Sequence, residues 1–524
     1  MFPPSAKRQT SPCPIDVSNN HINTKSPGRI EIQKMRASGI LMHISSLPSP
    51  YGIGTLGKAA YEFADFLHAA GQRYWQILPI GPTSYGDSPY QSFSTCAGNP
   101  YFIDLDTLIA DGLLLQEEVD AIDWSAHEKR VDYGFQFSVR YDLLYRAYER
   151  GRDRYADDIR RFREGNPWLE DYALFMAVKR SRGMASWETW PEEIRLRHPG
   201  ATDTYATVLA EDVNFFIFLQ FLFFRQWDTL RDYVHKLGIQ IIGDLPIYVP
   251  YDSCDVWANP ELFQLNRDGT PIGVAGCPPD YFSADGQLWG NPLYDWDRMR
   301  QDDFAWWKRR IAAASRLFDV IRIDHFRGLE SYWFVPYGDV NARGGHWVKG
   351  PDHDFIHALH GAFPQLRLIA EDLGFLTEDV IRLQRDSGYP GMKVLEFAFD
   401  PREPTNYLPH RYERNCICYS GTHDNETLVQ WLEGQSDETI SYVMEYLGVN
   451  SREECRMGIL RWGMASVADT FIAQLQDYLA LGADARMNLP GTLSTDNWSW
   501  RVEKGACTPE LAAQIRRLTQ LYER

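Results

Sequence analysis

The chain has 524 residues, of which 44% are hydrophobic, so it can bury a large core. Length alone suggests roughly three domains, but a (β/α)8 barrel with insertions can exceed about 400 residues as one unit. Because 71 Asp and Glu outnumber 53 Lys and Arg and give a net charge of −18, the composition argues against a nucleic-acid partner, which needs a basic face. A neutral substrate fits this charge better.

Residues 1–35, rich in Ser, Pro and Asn, are predicted to form a disordered tail ahead of a catalytic unit spanning 36–524. The tail has no apolar signal-peptide core, and no later stretch approaches about 18 uncharged apolar residues, so no membrane segment is predicted. Asp16 and Glu31 argue against a transit peptide. The eight cysteines match neither a zinc spacing nor a small disulfide framework. We therefore expect a cytoplasmic protein, with the plastid stroma as the alternative.

Short apolar runs alternate with amphipathic ones along the rest of the chain. Helical patterns such as residues 58–71 and 377–388 follow predicted strands and end at a glycine, as helix C-termini do. This alternation predicts a parallel sheet, and eight strands match a closed (β/α)8 TIM barrel with inserted, mainly helical subdomains. The predicted strands are Gly39–Ser45, Tyr74–Ile80, Gly238–Ile247, Asp319–Phe326, Leu366–Asp372, Met392–Phe399, Cys416–Ser420 and Ala485–Leu489.

Two insertions interrupt the predicted barrel. Residues 104–236 have helical periodicity and many charges, and they should form a helical subdomain on the catalytic face or rim. Residues 248–300 form the second insertion. Within it, residues 276–291 combine prolines and glycines with aromatic side chains, which favours a semi-rigid lid over a buried strand. The alternative for this segment is a surface loop packed on the barrel rim.

Three acidic residues follow directly on strand-like runs. They are Asp324 in V-I-R-I-D-H-F-R-G, Glu371 in L-R-L-I-A-E-D-L-G and Asp424 in I-C-Y-S-G-T-H-D-N. A carboxylate that ends a strand lies at the strand's C-terminal edge, where barrel enzymes assemble their sites. Any one of these acids alone is better explained as a helix cap or the partner of an arginine. Three together predict one carboxylate-lined pocket.

Two other patterns point to different chemistry. Residues 52–57, G-I-G-T-L-G, fit a dinucleotide-binding loop, but the second strand carries no acidic residue at its end to hold a ribose. His353, His357 and His360 share one helical face and resemble metal ligands. A zinc protease motif needs Glu where Asp354 stands, so an amphipathic barrel helix explains this segment better. Neither a dinucleotide nor a metal ion is predicted.

Several longer motifs resemble one family. R-I-D-H-F-R-G, I-A-E-D-L-G and G-T-H-D-N, together with G-D-S-P-Y-Q, G-D-L-P-I-Y-V and P-P-D-Y-F-S-A-D-G-Q-L-W-G-N-P-L-Y, are similar to the amylomaltases or disproportionating enzymes. These are 4-α-glucanotransferases of glycoside hydrolase family 77, in the α-amylase superfamily. The resemblance runs from about Gly39 to Arg501, where A-R-M-N-L-P-G and N-W-S-W-R also match. Departures are small: T-D-N-W lacks an expected glycine, and Pro250 and Cys254 replace smaller residues.

The resemblance implies a role for each matching residue. Asp324 corresponds to the nucleophile, Glu371 to the general acid/base and Asp424 to the transition-state stabiliser. No cofactor and no metal ion are implied, and the expected substrates are maltooligosaccharides or glucans from starch or glycogen. The oligomeric state is left open, with a monomer plausible. The substrate-binding residues predicted are Tyr90, Asp244, Arg322, His423, Tyr85, Trp257, Tyr281, Phe282, Gln287, Trp289 and Asn291.

Elementary electrostatics supports the same division of roles. Arg322 and Asp324 are two residues apart on one strand, so their side chains share a face and the guanidinium can keep Asp324 ionised. Two carboxylates about 5 Å apart, as a retaining mechanism requires, repel by roughly 3 kcal/mol at an effective dielectric near 20, or about two pK units. That penalty should fall on Glu371, which then stays protonated as a general acid must.

Three alternatives remain open. A plain α-glucan hydrolase would use the same carboxylates but would raise the number of reducing ends. An inactive glucan-binding scaffold would have no need of all three acids. A metal-dependent barrel hydrolase would need strand-end ligands, yet His43, His325 and His423 supply no H-x-H motif.

Overall fold

The computed structural model describes residues 36–524, apart from 85, 126–127, 280–283, 375, 401 and 403–404. Eight parallel strands form one sheet in the order β10-β11-β12-β1-β2-β3-β6-β9, and a smaller antiparallel sheet has the order β5-β4-β7-β8. The strands are β1 Ala37–Leu41, β2 Tyr74–Gln76, β3 Gln240–Leu245, β4 Gly273–Cys277, β5 Gln287–Pro292, β6 Val320–Ile323, β7 Ser331–Pro336, β8 His346–Lys349, β9 Arg367–Ala370, β10 Gly391–Val394, β11 Cys416–Tyr419 and β12 Thr470–Gln474.

The eight-stranded sheet curls into the predicted barrel. Its two edge strands, β9 and β10, come together where the backbone N–H of Ala370 donates to the carbonyl of Pro390 at 3.0 Å. The strands are short apolar runs and are almost entirely buried, as expected for a parallel sheet covered by helices. At Gly39 a side chain would be excluded, because a Cβ there would lie 2.5 Å from the carbonyl oxygen of Tyr74 in the next strand. The barrel prediction is confirmed.

The eighth predicted strand was wrong. Residues 485–489 form no strand, and the eighth place is taken by Thr470–Gln474, which pairs with both β1 and β11. This run is fully buried but has only five residues, and neither Gly nor Pro marks its start. Its identity as a strand depends on the pairing partners on both sides rather than on a local signal.

Helices surround the barrel and fill the first insertion. Predicted helix ends at glycine are confirmed: Gly71 and Gly388 both have positive φ, at 73° and 71°. The α-helices within the described ranges are α1 Lys58–Ala69, α2 Leu105–Ala110, α3 Gln116–Asp120, α4 Tyr133–Gly151, α5 Ala156–Glu164, α6 Leu169–Ser181, α7 Glu192–Arg195, α8 Ala201–Val208, α9 Ala210–Lys236, α10 Cys254–Ala258, α11 Trp296–Gln301, α12 Ala305–Leu317, α13 Asp352–Ala362, α14 Glu378–Ser387, α15 Leu428–Gly434, α16 Asp437–Leu447, α17 Arg452–Ala465, α18 Leu475–Leu479 and α19 Pro509–Leu521.

The stretch between β2 and β3 contains helices α2 to α9. Its longest member, α9, has 27 residues and buries a phenylalanine-rich surface against α4, α5 and α6. In the part of the chain that the structure describes, no single helix is long and apolar enough to cross a membrane. The pair α8 and α9 meets the length and composition test only when joined across an 84° bend.

The small antiparallel sheet was not predicted from sequence. Its strands β4 and β5 pair across residues 274–292, so the ends of the predicted lid segment are strands rather than loop. Gly290 and Pro292 hide the strand pattern of β5, because both residues are unusual inside strands. Of the predicted lid segment, residues 278–286 remain between the two strands, and residues 280–283 among them lie outside the described residues.

Candidate functional site

Three carboxylates meet at the C-terminal end of the barrel. Asp324 follows β6 and Glu371 follows β9, and these neighbouring strands pair Ile323 with Ala370, so the two acids come next to each other. Asp424 lies on the loop after β11. Each strand carries its acid to the same edge because all eight strands are parallel.

A buried arginine connects two strands of the site. Arg322 in β6 lies opposite Asp244 in β3, and its Nε and Nη2 atoms donate to the two oxygens of Asp244 at 2.9 and 2.5 Å. Nη2 also donates to Oδ1 of Asp324 at 3.0 Å, since residues 322 and 324 share one face of the strand. The hydroxyl of Tyr90 donates to Asp244 Oδ2 at 2.5 Å. This network fixes the orientation of Asp324.

Glu371 is held by two backbone donors. The N–H of His325 donates to Oε2 at 2.7 Å, and the N–H of Leu373 donates to Oε1 at 3.0 Å. His325 has φ 50° and ψ 49°, in the left-handed region, which is costly for a residue with a side chain. This backbone conformation directs the N–H of His325, the residue after Asp324, toward the carboxylate of Glu371.

The two neighbouring acids have different affinities for a proton. Burial, followed by the charge of Asp324, raises the pKa of Glu371 to about 8, against the opposing effects of Arg322 and the two backbone donors. Burial also raises the pKa of Asp324, to about 6, while the Arg322 guanidinium opposes this shift. Near neutral pH, Asp324 is therefore the ionised member of the pair and Glu371 the protonated one. The order agrees with the sequence-based expectation.

Asp424 is kept ionised by its own partners. Asn488 Nδ2 donates to its Oδ1 at 2.7 Å, and His423 Nε2 lies 3.4 Å from its Oδ2. Arg486 Nη2 donates to its backbone carbonyl at 2.8 Å. Burial tends to raise the pKa of Asp424, but His423 and Asn488 outweigh it and bring the pKa to about 2.

Aromatic rings line one wall beside these acids. Tyr90 stacks on His423 with ring centroids 5.1 Å apart and an interplanar angle of 19°. Trp498 lies 5.7 Å from the Tyr90 ring and 5.9 Å from the His423 ring. Burial and the charge of Asp244 raise the pKa of Tyr90 well above its ordinary value, so its hydroxyl remains a donor. A flat apolar wall with polar edges suits the faces and hydroxyls of a pyranose.

Strand β5 brings further predicted residues to the site. The Trp289 ring lies 4.8 Å from the His325 ring at 90°, and its Nε1 donates to Gln287 Oε1 at 3.1 Å. Asn291 is buried near the end of the same strand. Trp289 therefore contacts the residue that follows Asp324, and Gln287 is connected to that residue through Trp289.

Four predicted residues are not placed at the site. Trp257 is 1% exposed, its ring lies among those of Phe175 and Trp190, and Arg197 covers it at 4.3 Å. It belongs to the core and offers no free face to a sugar, so that prediction was wrong. Tyr85, Tyr281 and Phe282 lie outside the described residues.

Sequence reasoning missed four contributors: Asn488, Arg486, Trp498 and the backbone of His325. The first three lie in or between the motifs A-R-M-N-L-P-G and N-W-S-W-R, which marked the family but gave no roles. Their partners, Asp424 and Tyr90, are distant in sequence. No local pattern could have connected them.

The histidines of α13 have ordinary structural partners. His353 lies 2.8 Å from Asp352 and 3.2 Å from Asp386, while Phe355 and Ile356 on the other face are buried. The prediction of an amphipathic helix is confirmed. Throughout the described ranges, no group of three or more His, Cys, Asp or Glu side chains is arranged to hold a metal ion.

Comparison with known proteins gives a consistent result. The family model described as 4-alpha-glucanotransferase matches residues 42–507. A 4-alpha-glucanotransferase of Clostridium butyricum is 47% identical over 92% of this chain and 100% of its own length. The chloroplastic/amyloplastic 4-alpha-glucanotransferase of Solanum tuberosum is 42% identical over 93% of this chain and 85% of its own.

A solved structure shows the same similarity in three dimensions. The amylomaltase from Streptococcus agalactiae, in complex with acarbose, superimposes with a TM-score of 0.91 at 40% identity, over 93% of this chain and 99% of that one. With a family model that covers most of the chain and relatives this similar over most or all of their length, the chain belongs to the 4-alpha-glucanotransferase family.

Proposed function

We propose that this protein transfers a segment of an α-1,4-glucan to the 4-hydroxyl of an acceptor glucan or glucose by a retaining double displacement. The observation that carries the proposal is the pair Asp324 and Glu371. They end neighbouring strands and hold their protons at different pH, as a nucleophile and an acid must.

In the first step, Asp324 attacks the anomeric carbon of the donor while Glu371 gives its proton to the glycosidic oxygen. The bond between the anomeric carbon and that oxygen breaks, and a β-linked glycosyl ester forms on Asp324. The Arg322 guanidinium at 3.0 Å orients the attacking carboxylate. In the second step, the now ionised Glu371 takes the proton of an acceptor 4-hydroxyl, whose oxygen displaces Asp324 and restores the α configuration.

The other residues of the site bind the sugar as charge develops. In this proposal Asp424 and His423 form hydrogen bonds with ring hydroxyls, and such bonds to the 2-hydroxyl strengthen as the ring becomes oxocarbenium-like. Tyr90, which packs against Trp498, offers a face for the pyranose. Gln287 and Trp289, next to His325, are proposed to bind on the acceptor side.

Incubation with purified maltotriose tests the proposal. Disproportionation yields glucose together with maltopentaose and longer chains, and the concentration of reducing ends stays nearly constant because each cleaved bond is replaced. Conversion to glucose and maltose with a steady rise in reducing ends would identify a hydrolase instead. Asp324→Asn, prepared in the same way, is the control for contaminating activity.

A further inference from the structure

One buried carboxylate holds both ends of the loop that carries His423 and Asp424. The loop, residues 421–427, connects β11 to α15. Asp477, fully buried in α18, accepts a hydrogen bond from the Ser420 hydroxyl at 2.6 Å and another from the backbone N–H of Leu428 at 2.8 Å. The two oxygens of a single side chain therefore connect the residue before the loop to the residue after it.

Gln474, the last residue of β12, makes two further hydrogen bonds to the same segment. The backbone N–H of Gln474 donates to the Ser420 hydroxyl oxygen at 3.2 Å, and its side-chain Nε2 donates to the carbonyl of Glu426 at 2.9 Å. Asp477 follows Gln474 by three residues, so β12 and the start of α18 form one support. The loop is thus held at Ser420 before it, at Glu426 near its end and at Leu428 after it.

The loop has little room to shift within this support. A Cβ on Gly421 would lie 2.4 Å from Oε1 of Glu396 and 2.8 Å from Nε2 of Gln474. Burial, with the charges of Asp477 and Glu426, raises the pKa of Glu396 well above its ordinary value, so Glu396 packs here as a neutral group. A displacement of the loop toward the barrel would meet these side chains.

We infer that Asp477 is a positioning residue for the reaction, acting through Asp424. By tying Ser420 to Leu428, it fixes the orientation in which the loop presents the Asp424 carboxylate to the reacting sugar. Asp477 is buried beneath the loop, so it takes no part in the chemistry itself. The inference rests on the proposed role of Asp424 as stabiliser of the transition state.

The side chain at 477 can be varied to separate geometry from charge. Asparagine keeps both connections, because its carbonyl oxygen can accept from Leu428 and its amide can donate to the Ser420 oxygen. Alanine removes both. We expect Asp477→Asn to stay within about threefold of the wild type and Asp477→Ala to lower kcat on the order of 10- to 100-fold with a smaller change in KM.

A double-mutant cycle with α-maltosyl fluoride as donor provides the decisive measurement. Attack of Asp324 on this donor expels fluoride, which an electrode records even when the rate is low. Because Asp477 is inferred to act through Asp424, Asp477→Ala should lower the rate of fluoride release by less than about threefold when Asp424 is already alanine. An equal fold-loss of rate in the wild-type and Asp424→Ala backgrounds would overturn the inference. A rate for Asp477→Asn as low as that for Asp477→Ala would also overturn it.

Asp104 supplies a matched control. It is also buried and accepts hydrogen bonds from the Thr55 hydroxyl at 2.7 Å and the Thr107 N–H at 2.8 Å. Asp104→Ala should lower the melting temperature. Any reduction that it causes in the rate should be the same fold in the wild-type and Asp424→Ala backgrounds. If Asp477→Ala does not fold, Ser420→Ala replaces it in the cycle with the same two outcomes. An Asp424→Ala variant as active as the wild type would instead refute the role of Asp424.

Discussion

Asp324 and Glu371 show how neighbours decide the chemistry of two similar side chains. Asp324 accepts a hydrogen bond from the Arg322 guanidinium at 3.0 Å, whereas Glu371 accepts from two backbone amides and lies near the charge of Asp324. The cation favours the ionised form of one acid, and burial favours the protonated form of the other. The proposed nucleophile and the proposed proton donor thus have the same functional group, and their neighbours make them different.

Asp324→Asn should lose activity by about four orders of magnitude or more, because an amide cannot form the glycosyl ester. The variant should still bind the glucan, since the amide fills the same space. Initial rates with maltotriose and a calorimetric titration with maltotriose measure the two properties. Activity close to that of the wild type would contradict the double-displacement scheme. Asp324→Ala serves as the comparison for lost packing.

The pH dependence of kcat/KM should be bell-shaped. The rate should fall below about pH 6 as Asp324 takes up a proton, and above about pH 8 as Glu371 loses its proton. Fluoride leaves α-maltosyl fluoride without needing a proton. The rate at which Glu371→Gln releases a first equivalent of fluoride from this donor should therefore not fall at alkaline pH. Persistence of the alkaline fall in Glu371→Gln would assign it to another group.

The residues that sequence could predict are those whose role follows from local position. Asp324 and Glu371 end strands, and a strand end in a parallel barrel determines where a side chain lies. Asn488 and Trp498 act only through contacts with Asp424 and Tyr90, and those contacts depend on the closed fold. Trp257 shows the converse, because composition cannot distinguish a ring enclosed in the core from one exposed to a ligand.

At the scale of elements, the antiparallel pair β4 and β5 gives the predicted lid a rigid base. Tyr281 and Phe282, which lie outside the described residues, belong to the segment of sequence between these strands; we expect them to exclude water from the glycosyl ester and to align the acceptor hydroxyl. Changing both to alanine should therefore lower transfer more than hydrolysis. The ratio of reducing ends released to bonds cleaved, measured with maltotriose, should rise.

The control for the lid variant changes exposed side chains elsewhere on the same sheet. Ile272 precedes β4 and Tyr337 follows β7, and they are 50% and 49% exposed. Their double alanine variant should leave the ratio unchanged. If the Tyr281 and Phe282 variant also leaves it unchanged while donor cleavage remains measurable, the preference for transfer is determined outside this turn.

The misplaced eighth strand shows where element prediction ends. Thr470–Gln474 and residues 485–489 are both short runs with apolar members, and only the first has a strand on each side. Helix α14 was easier, because Thr377 caps its start and Gly388 its end. Signals within a helix are local, whereas the signal for a barrel strand is shared among three segments of chain.

Across the whole molecule, the site should reduce stability at alkaline pH. The pKa of Glu371 is about 8 in the folded protein, whereas it is near 4 in the unfolded chain. Between these two pH values the folded state binds one more proton at this residue than the unfolded state does. The resulting stabilisation is complete below the unfolded pKa and is lost as pH rises through about 8. Asp324 and Asp477, each with a pKa raised to about 6, act in the same direction.

Glu371→Gln, which stays neutral, should therefore lose less stability than the wild type between about pH 5 and 9. Melting temperatures in buffers of constant ionic strength measure the difference, and the variant should gain relative to the wild type as pH rises. Glu378→Gln, an exposed change at the start of α14, is the control and should follow the wild type. Parallel curves for all three proteins would contradict the burial of a protonated Glu371.

The pairing of β1 with β12 has a consequence for synthesis on the ribosome. Ala37 lies against Thr470, so the first strand to emerge keeps one edge unpaired until nearly the whole barrel has been translated. Asn488 and Trp498 emerge later still, and they contact Asp424 and Tyr90, which are made long before. A nascent chain therefore gains its closed barrel and the complete proposed site at almost the same moment. Prematurely released fragments would have neither.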